Sequence, residues 1–581
     1  MQPIYSLLQS KELGRCACIA LSFLIVGFGQ PAWSHLASVL SALFGYALLG
    51  IVLFDEPKPL NRFLIAGLWY TAVQLVQLSW FIAHPYNYIY IVYIGMSVLL
   101  GIQFGFIGSL INRKRLESIF FIVGLASLWV ILEWSRLFIL SGFSWNPSGL
   151  ALTGNVFSLQ LASLMGVFGL SFWVLFVNLL AMRAWVRKKM AASFLWIIAA
   201  LFPYLYGYAH LRIHETWVLQ DLQESKNPYF TAVLVQPAFP AEEAFDFGDT
   251  KNYVAFVTRE WRHILNITKK HAGQHFDVMA LPEFLVPFGT YTFVYPYEHV
   301  VKAFEEIFGK QSLAFLPPLD LPLAAEFPLE PKGTKWMVNN AFWVQAISNY
   351  YKSEVIVGLE DAEDTIRGRE FYSAALFFRP QNRLLTTGDE VKFLKPERYV
   401  KRVLVPMGEY IPFSFCREMA ARYGINGSFT CGQEAKVIPG NTLPLGVCIC
   451  YEETFGHMTR ESRQRGANLL INITSDAWFP NSRLPQQHFD HARLRSVENG
   501  VPLLRACNTG VTGALDSFGR LVEKLGNTPQ ESETFSDSIR VQVPTYHYKT
   551  LYSLFGDKLI LGFCFLGLFG FCFSEFFKPK R

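Results

Sequence analysis

Eight long apolar stretches constrain this 581-residue chain more than any other feature. A membrane-spanning helix needs about 20 mainly apolar residues, because the hydrocarbon core of a bilayer is about 30 Å thick. Most of the stretches reach that length, and seven follow one another before residue 213. The alternative, buried helices of one large soluble core, is disfavoured by so many adjacent runs. The eight stretches cover residues 16–31, 36–54, 63–83, 88–111, 119–140, 157–185, 192–209 and 554–577.

Composition excludes several other classes of protein. Charged residues make up only 17% of the chain, against roughly 25% in a typical soluble domain. A net charge of +5 spread over this length gives no case for nucleic-acid binding. The nine cysteines follow no zinc-binding spacing and are too few for a disulfide scaffold. A cleaved signal peptide is not expected either, since further apolar runs follow the first one at once.

The basic residues of the short loops predict an orientation in the membrane. The connections 32–35, 84–87 and 141–156 contain no Lys or Arg, whereas the loops on the other side carry clusters such as 113–115 and 187–189. Because cytoplasmic loops carry the excess of Lys and Arg, both termini are predicted to be cytoplasmic. We therefore expect a seven-span domain at 1–212, a final span at 554–577 and a basic cytoplasmic tail at 578–581.

The segment 213–553 is then expected on the extracytoplasmic side as an α/β domain. Short strand-like runs occur between helical patterns such as 253–270 and 455–465. The run 291–297, inside an aromatic and Pro-rich excursion at 288–350, is predicted to be a mobile lid, with a core strand as the alternative. The strand-like runs are 231–236, 278–281, 354–359, 374–378, 445–450 and 469–472.

Familiar catalytic motifs are missing from the sequence. There is no Gly-x-Ser-x-Gly elbow, no phosphate-binding glycine loop and no His-Glu-x-x-His. His488 and His491 are three residues apart, but no acidic or Cys pattern accompanies them, so no metal site is expected. The sequence thus favours chemistry that needs neither a metal nor a cofactor.

Three residues stand out by their context. Glu283 follows an apolar strand and Pro282, Lys401 lies eight residues before Glu409, and Cys450 ends a strand where a helix can start. Backbone N–H groups at such a turn and a nearby ammonium stabilise a thiolate, so a lowered thiol pKa is expected. A carboxylate beside it can carry protons. A solvated turn acid, a surface lysine and a buried structural thiol remain the alternatives for the same three residues.

The order hydrophobic-Pro-Glu, then Lys, then Cys-Tyr-Glu resembles the nitrilase-type carbon–nitrogen hydrolase superfamily. Together with the apolar spans, the chain is similar to that superfamily's membrane-embedded branch, the apolipoprotein N-acyltransferase family. The stretches that carry the resemblance are 133–136, 141–145, 401–412 (KRVLVPMGEYIP), 449–452 (ICYE), 471–479 (INITSDAWF) and 487–513.

The resemblance implies a nitrilase-like αββα sandwich outside the membrane. It also implies Glu283 as general base, Lys401 as oxyanion stabiliser and Cys450 as nucleophile. Supporting or substrate-binding roles are implied for four further residues, which are Glu409, Tyr451, Glu452 and Trp478.

The activity implied is transfer of a fatty acyl group from a phospholipid, through a cysteine thioester, to the N-terminal amine of the diacylglyceryl-cysteine of an apolipoprotein. This is the last step of bacterial lipoprotein maturation, in the inner membrane. The expected partners are the phospholipid donor, the apolipoprotein acceptor and the lipid bilayer, with no cofactor, metal or nucleic acid.

Two other functions remain open at this point. A membrane-tethered amidase or nitrilase would use the same residues on a small amide and would ignore phospholipid. A non-catalytic receptor or scaffold would keep the fold for binding alone. A disulfide between Cys416 and Cys431 is chemically permitted outside the cytoplasm.

Overall fold

The computed structural model describes residues 11–240, 249–328, 333–366, 368–381, 395–421 and 428–576. Its first part is helical, and one helix follows near the end of the chain. A π-helical turn, Ser41–Gly45, joins the second and third helices into one continuous rod. The helices are Lys11–Gly27, His35–Leu40, Tyr46–Leu53, Pro59–Gln77, Ile89–Leu110, Ile119–Ser135, Val156–Leu159, Ala162–Arg187, Met190–Glu224 and Asp557–Phe576.

Within these described ranges, six helical segments are long and apolar enough to cross a membrane. The apolar runs expected at 16–31 and 63–83 fall in the helices Lys11–Gly27 and Pro59–Gln77, which are not among those six. The expected basic tail at 578–581 lies outside the described residues. The six segments are His35–Leu53, Ile89–Leu110, Ile119–Phe138, Ala162–Arg187, Met190–Glu224 and Asp557–Ser574.

The second part contains two six-stranded sheets with the same arrangement of parallel and antiparallel strands. Each sheet has three parallel strands at its centre and antiparallel strands toward its edges. Every strand predicted from the sequence lies in one of them. In spatial order, the first sheet is Asp537–Pro544, Tyr229–Gln236, Val278–Ala280, Glu354–Thr365, Gly368–Phe378 and Glu397–Val400; the second is Leu521–Lys524, Gly513–Leu515, Leu503–Cys507, Leu469–Thr474, Pro444–Ile449 and Val437–Pro439.

The two sheets pack face to face and are covered by helices on their outer sides. Alternate residues of facing strands, such as Leu234 and Ile471, form one fully buried apolar layer between them. The helices Thr250–Thr268 and Asn340–Tyr351 cover the first sheet, and their Trp261 and Trp343 rings stack with centroids 5.6 Å apart. The helices Gly456–Gln464 and Leu484–Asn499 cover the second. This is the αββα sandwich expected of a nitrilase-like domain.

The lid predicted at 291–297 is wrong. Tyr295 is fully buried, donates a 2.7 Å hydrogen bond to Asn340, and stands edge-on to Trp343. Its backbone pairs with Val338 in a small three-stranded sheet. The excursion folds against the first sheet because its aromatic rings complete a core rather than reaching toward lipid.

The sandwich and the helical bundle share a core. Tyr451, Phe455 and Met458, which follow a central strand, are buried in the same apolar cluster as the membrane helices. Leu494 and Val497 of the helix Leu484–Asn499 join that cluster. Consequently the loop after the strand Pro444–Ile449 sits at the junction of the two parts. The helix Met190–Glu224 also continues past residue 212, where the sequence suggested a boundary.

Candidate active site

Glu283 is held at the end of the strand Val278–Ala280 by a close backbone approach. Gly358 on the neighbouring strand donates to the carbonyl of Pro282 at 3.1 Å. A Cβ at residue 358 would lie 2.5 Å from the Cα of Glu283, so only glycine permits this contact. Phe284, directly after the acid, has φ of 42°, in the left-handed region. The carboxylate is therefore aimed inward, and the residue is only 5% exposed.

Lys401 lies between two carboxylates. Its ammonium donates to Glu283 at 2.8 Å and to Glu409 at 2.7 Å, and the residue is 1% exposed. The other oxygen of Glu409 accepts from the backbone N–H of Val405 at 2.8 Å, which fixes the loop after the lysine. An ammonium has three N–H donors, so one remains for a further acceptor.

Cys450 opens the turn Cys450–Thr454, one residue beyond its strand. Its φ of 51° places it in the left-handed region, a strained conformation typical of functional sites. The charges of Glu283 and Lys401 both act on the Cys450 thiol, which is buried in the same site. The structure thus brings together the three residues that the sequence singled out.

Glu452 ties the loop of Lys401 to this turn. Its fully buried carboxylate accepts from the backbone N–H groups of Arg402 at 2.5 Å and Ile449 at 2.8 Å. The hydroxyl of Tyr399 donates to the same carboxylate at 2.8 Å. Glu452 is therefore placed to fix the spacing between the lysine and the thiol.

The pKa of the Cys450 thiol differs from the one that the sequence predicts. Burial raises the pKa of Cys450, the Glu283 carboxylate raises it further, and the Lys401 ammonium only partly opposes them. The lowered thiol pKa expected from the turn and the ammonium is therefore wrong. Burial lowers the pKa of Lys401, but Glu283 and Glu409 more than offset it, so the net pKa lies well above its usual value.

The pKa of Glu283 is also raised. Burial raises the pKa of its carboxyl, and the nearby Lys401 ammonium limits the rise. A neutral thiol can transfer its proton to a nearby carboxylate as the sulfur attacks. A buried thiol and a buried carboxyl, each with a raised pKa, thus lie in one site with Lys401.

Tyr451 and Trp478 both contact the membrane part. The Tyr451 hydroxyl donates to the carbonyl of Gly142 at 2.6 Å, and its ring stacks on Trp145 at 5.4 Å. The Trp478 ring stacks on His84 at 5.7 Å, in the connection between the helices Pro59–Gln77 and Ile89–Leu110. Tyr451 is therefore next to the thiol and anchored to the bundle, whereas Trp478 joins a second loop to it.

Sequence reasoning missed a buried charged network beneath the Cys450 turn. His488 bonds Asp476 at 2.9 Å and the carbonyl of Cys450 at 3.2 Å. Arg505 bonds Glu453 at 3.1 Å and Asp476 at 3.4 Å. All four side chains are buried, with none above 3% exposed. The polar residues of INITSDAWF and of the next strand were the available signal, but only the parallel pairing of those strands unites them.

His488 and His491 do not share a ligand geometry. The Nε2 atom of His491 bonds the carbonyl of Trp145 at 3.0 Å, while His488 faces Asp476. Among the described residues, no group of three or more His, Cys, Asp or Glu side chains is placed to hold a metal ion. Cys416 and Cys431 are both free thiols.

Comparison with known proteins matches both parts of the chain. The carbon-nitrogen hydrolase family matches residues 252–534, and the apolipoprotein N-acyltransferase N-terminal domain matches residues 24–180. Among solved structures, a carbon-nitrogen hydrolase from Helicobacter pylori aligns with a TM-score of 0.32 at 13% identity, covering 55% of this chain and 90% of the other.

Full-length relatives of this chain are apolipoprotein N-acyltransferases. The apolipoprotein N-acyltransferase of Chlamydia pneumoniae is 31% identical over 96% of this chain and 97% of its own length. That of Chlamydia trachomatis is 30% identical over 97% of each chain. The chain belongs to the apolipoprotein N-acyltransferase family.

Proposed function

We propose that this protein transfers a fatty acyl group from a phospholipid to the N-terminal amine of a diacylglyceryl-cysteine apolipoprotein, through a thioester on Cys450. The observation that carries the proposal is the buried contact of Lys401 with Glu283 at 2.8 Å, in a site where both charges also act on the buried Cys450 thiol. Thiol, base and cation are the three groups that two successive acyl transfers need.

In the first step, the sulfur of Cys450 attacks the ester carbonyl carbon while Glu283 takes the thiol proton. The developing oxyanion faces the third N–H of Lys401 and the backbone N–H groups at the start of the turn, which have no acceptor within the helix. The ester C–O bond then breaks, and the departing lysophospholipid oxygen takes the proton from Glu283. A thioester remains on Cys450.

In the second step, the α-amine of the acceptor attacks the thioester carbonyl. Glu283 takes a proton from the amine and returns it to sulfur as the C–S bond breaks. Glu409 keeps Lys401 in place through both steps by its 2.7 Å contact. The products are the N-acylated acceptor and the free Cys450 thiol, so each proton that Glu283 accepts is given back.

Embedding of the site in the helical bundle supports a lipid donor. Tyr451 and Phe455, which follow Cys450 closely, are buried in the core of the membrane helices. A small-amide hydrolase needs no such junction.

We propose eight spans in the bacterial inner membrane, with the basic loops and both termini cytoplasmic and the catalytic segment 213–553 outside. Reporter fusions after residues 189 and 350, expected on opposite sides, test this orientation.

The function is tested with purified protein, phospholipid vesicles and a diacylglyceryl-cysteine peptide. We expect release of lysophospholipid in one equivalent without peptide, and continuous N-acylation with it. The Cys450→Ala variant is expected to do neither. Consumption of a small amide with no release of lysophospholipid would favour the amidase instead.

A further inference from the structure

A break in one membrane helix lies against the catalytic part. In the helix Ala162–Arg187, Gly166 has φ of 64° and ψ of −168°, so the helical ladder is interrupted there. A Cβ at this position would lie 2.3 Å from the ring of Tyr552. The interruption frees the backbone N–H of Val167, and an unpaired N–H is costly away from water.

Glu498 satisfies that freed group from the other part of the protein. Its carboxylate accepts from the Val167 N–H at 2.8 Å, and the residue is fully buried. A carboxylate at the start of a helical segment also meets the positive end of the helix dipole. The helix Leu484–Asn499 is thereby joined to the membrane helix at its break.

Arg495 continues the connection from Glu498 toward the Cys450 turn. Its Nη2 and Nε atoms each lie 3.2 Å from an oxygen of Glu498, and both residues are fully buried. The remaining Nη1 donates to the carbonyl of Thr454, the last residue of the turn, at 3.5 Å. Because guanidinium is planar and rigid, the position of Glu498 limits where that third contact can be made.

The same helix also holds the first residue of the turn. His488, two turns before Arg495, lies 3.2 Å from the carbonyl of Cys450. The helix Leu484–Asn499 thus contacts both ends of the turn Cys450–Thr454. Cys450 has a left-handed backbone conformation in this turn and must be held in place. A displacement of this helix would move the thiol relative to Glu283, which belongs to the opposite sheet.

Ordinary core packing does not account for this arrangement. A buried ion pair is weak evidence for stability, since apolar residues of similar size often stabilise a fold as well or better. Glu498 also faces a second acid, Asp557 at the start of the last membrane helix, and Tyr552 beside it. An acid kept among these groups indicates a positional requirement.

We infer that Glu498 is a positioning residue that couples the broken membrane helix to the Cys450 turn, so that acyl loading depends on how this helix is seated. The inference rests on the proposed function, in which Cys450 is the acylated residue. Glu498 and Arg495 touch no substrate in this account and act through Thr454.

Two variants test the coupling. Glu498→Gln keeps an acceptor for Val167 but loses the charge that fixes Arg495. Arg495→Lys keeps the charge but cannot reach Glu498 and Thr454 as a fork. Because displacements of about 1 Å can cost about 100-fold in rate, we expect both variants to load Cys450 about 10- to 100-fold more slowly. Glu523→Gln, at an exposed strand position, is the matched control and is expected to load normally.

The readout separates positioning from folding. In single-turnover loading from phospholipid vesicles, a purely structural role lowers the fraction of protein that loads, whereas a positioning role lowers the rate constant of the fraction that does. Wild-type rate constants in both variants would overturn the inference. If Glu498→Gln does not accumulate in the membrane, Arg495→Lys decides by the same criterion.

A second readout does not depend on the proposed reaction. Alkylation of Cys450 by iodoacetamide, followed by mass spectrometry, reports the placement of the thiol beside Glu283. We expect several-fold slower alkylation in both variants than in wild type. If wild-type protein forms no thioester but the variants still alkylate slowly, the proposed function fails while the coupling stands. Equal alkylation rates in all proteins would contradict the coupling.

Discussion

Variants that remove the Lys401 charge should distinguish the contribution of Lys401 to protein stability from its contribution to acyl loading. Lys401→Met keeps a side chain of similar length but leaves Glu283 and Glu409 without the cation that lies 2.8 Å and 2.7 Å from them. At an effective dielectric constant of 20, each contact represents about 6 kcal/mol of gross Coulomb attraction. Much of this is offset by desolvation of the ammonium. Removing one partner of a buried ion pair typically lowers the free energy of unfolding by about 3–5 kcal/mol. We expect a loss of this size in the Lys401→Met variant.

The companion variant is Lys401→Met combined with Glu409→Gln. It removes one of the two stranded carboxylates, so about half of the lost stability should return. Loading of Cys450 should remain at least about 100- to 1,000-fold below wild type, because the oxyanion has lost a donor. Lys302→Met, at an exposed position on an outer helix, is the control and should change neither property.

The assay pairs thermal unfolding in detergent with single-turnover loading from phospholipid vesicles. Full stability in the single variant would mean that the two carboxylates are not held by Lys401 in the folded protein. Near-normal loading in the double variant would refute the oxyanion role of Lys401.

The other predictions concern the thiol, the base and the backbone that aims it. Cys450→Ala should abolish both the thioester and N-acylation, while Cys448→Ala, whose sulfur is buried beside Asn472, should keep most activity; an adduct persisting in the first variant contradicts this. Gly358→Ala should slow loading at least about 10-fold, since a Cβ there meets the backbone of Glu283, and a normal rate would argue against that restraint. Loading should fall as the pH drops through the raised pKa of Glu283, because a protonated carboxyl cannot accept the thiol proton; a rate that rises with acidity would exclude Glu283 as the base.

Local patterns predicted most of the scaffold and the three central residues. Glu283 and Cys450 each follow a buried strand, and the central strands of the two sheets are regular enough to be recognised from their apolar runs. Lys401 follows no such strand; its spacing from Glu409 singles it out in the sequence, and the resemblance of the chain to a known family implies its place in the site. The structure explains that place by Glu283 and Glu409 on either side of it.

Other features depended on contacts between distant segments. The aromatic and Pro-interrupted run 291–297 predicts a lid, but Asn340 and Trp343 complete a core around Tyr295. The thiol pKa was expected to be low because the turn and the lysine are visible in sequence, whereas the burial that raises it is not. Asp476 and Arg505 meet only because their strands pair in parallel.

The helix Met190–Glu224 shows that the length of an apolar run does not by itself predict where a helix ends. The sequence becomes polar near residue 212, but the helical backbone continues for three more turns because nothing in that stretch interrupts it. His214 on this extension bonds the hydroxyl of Tyr546, next to the last strand. The helix therefore extends beyond its apolar part and contacts the chain just after the edge strand Asp537–Pro544.

Mass spectrometry of the intact protein tests the central claim most directly. Protein incubated with phospholipid vesicles and no acceptor should gain the mass of one fatty acyl chain, on the peptide that contains Cys450. The adduct should be removed by hydroxylamine, as a thioester is, and should transfer to a diacylglyceryl-cysteine peptide when that is added. An unmodified Cys450 under these conditions, with N-acylated peptide still being formed, would contradict the account.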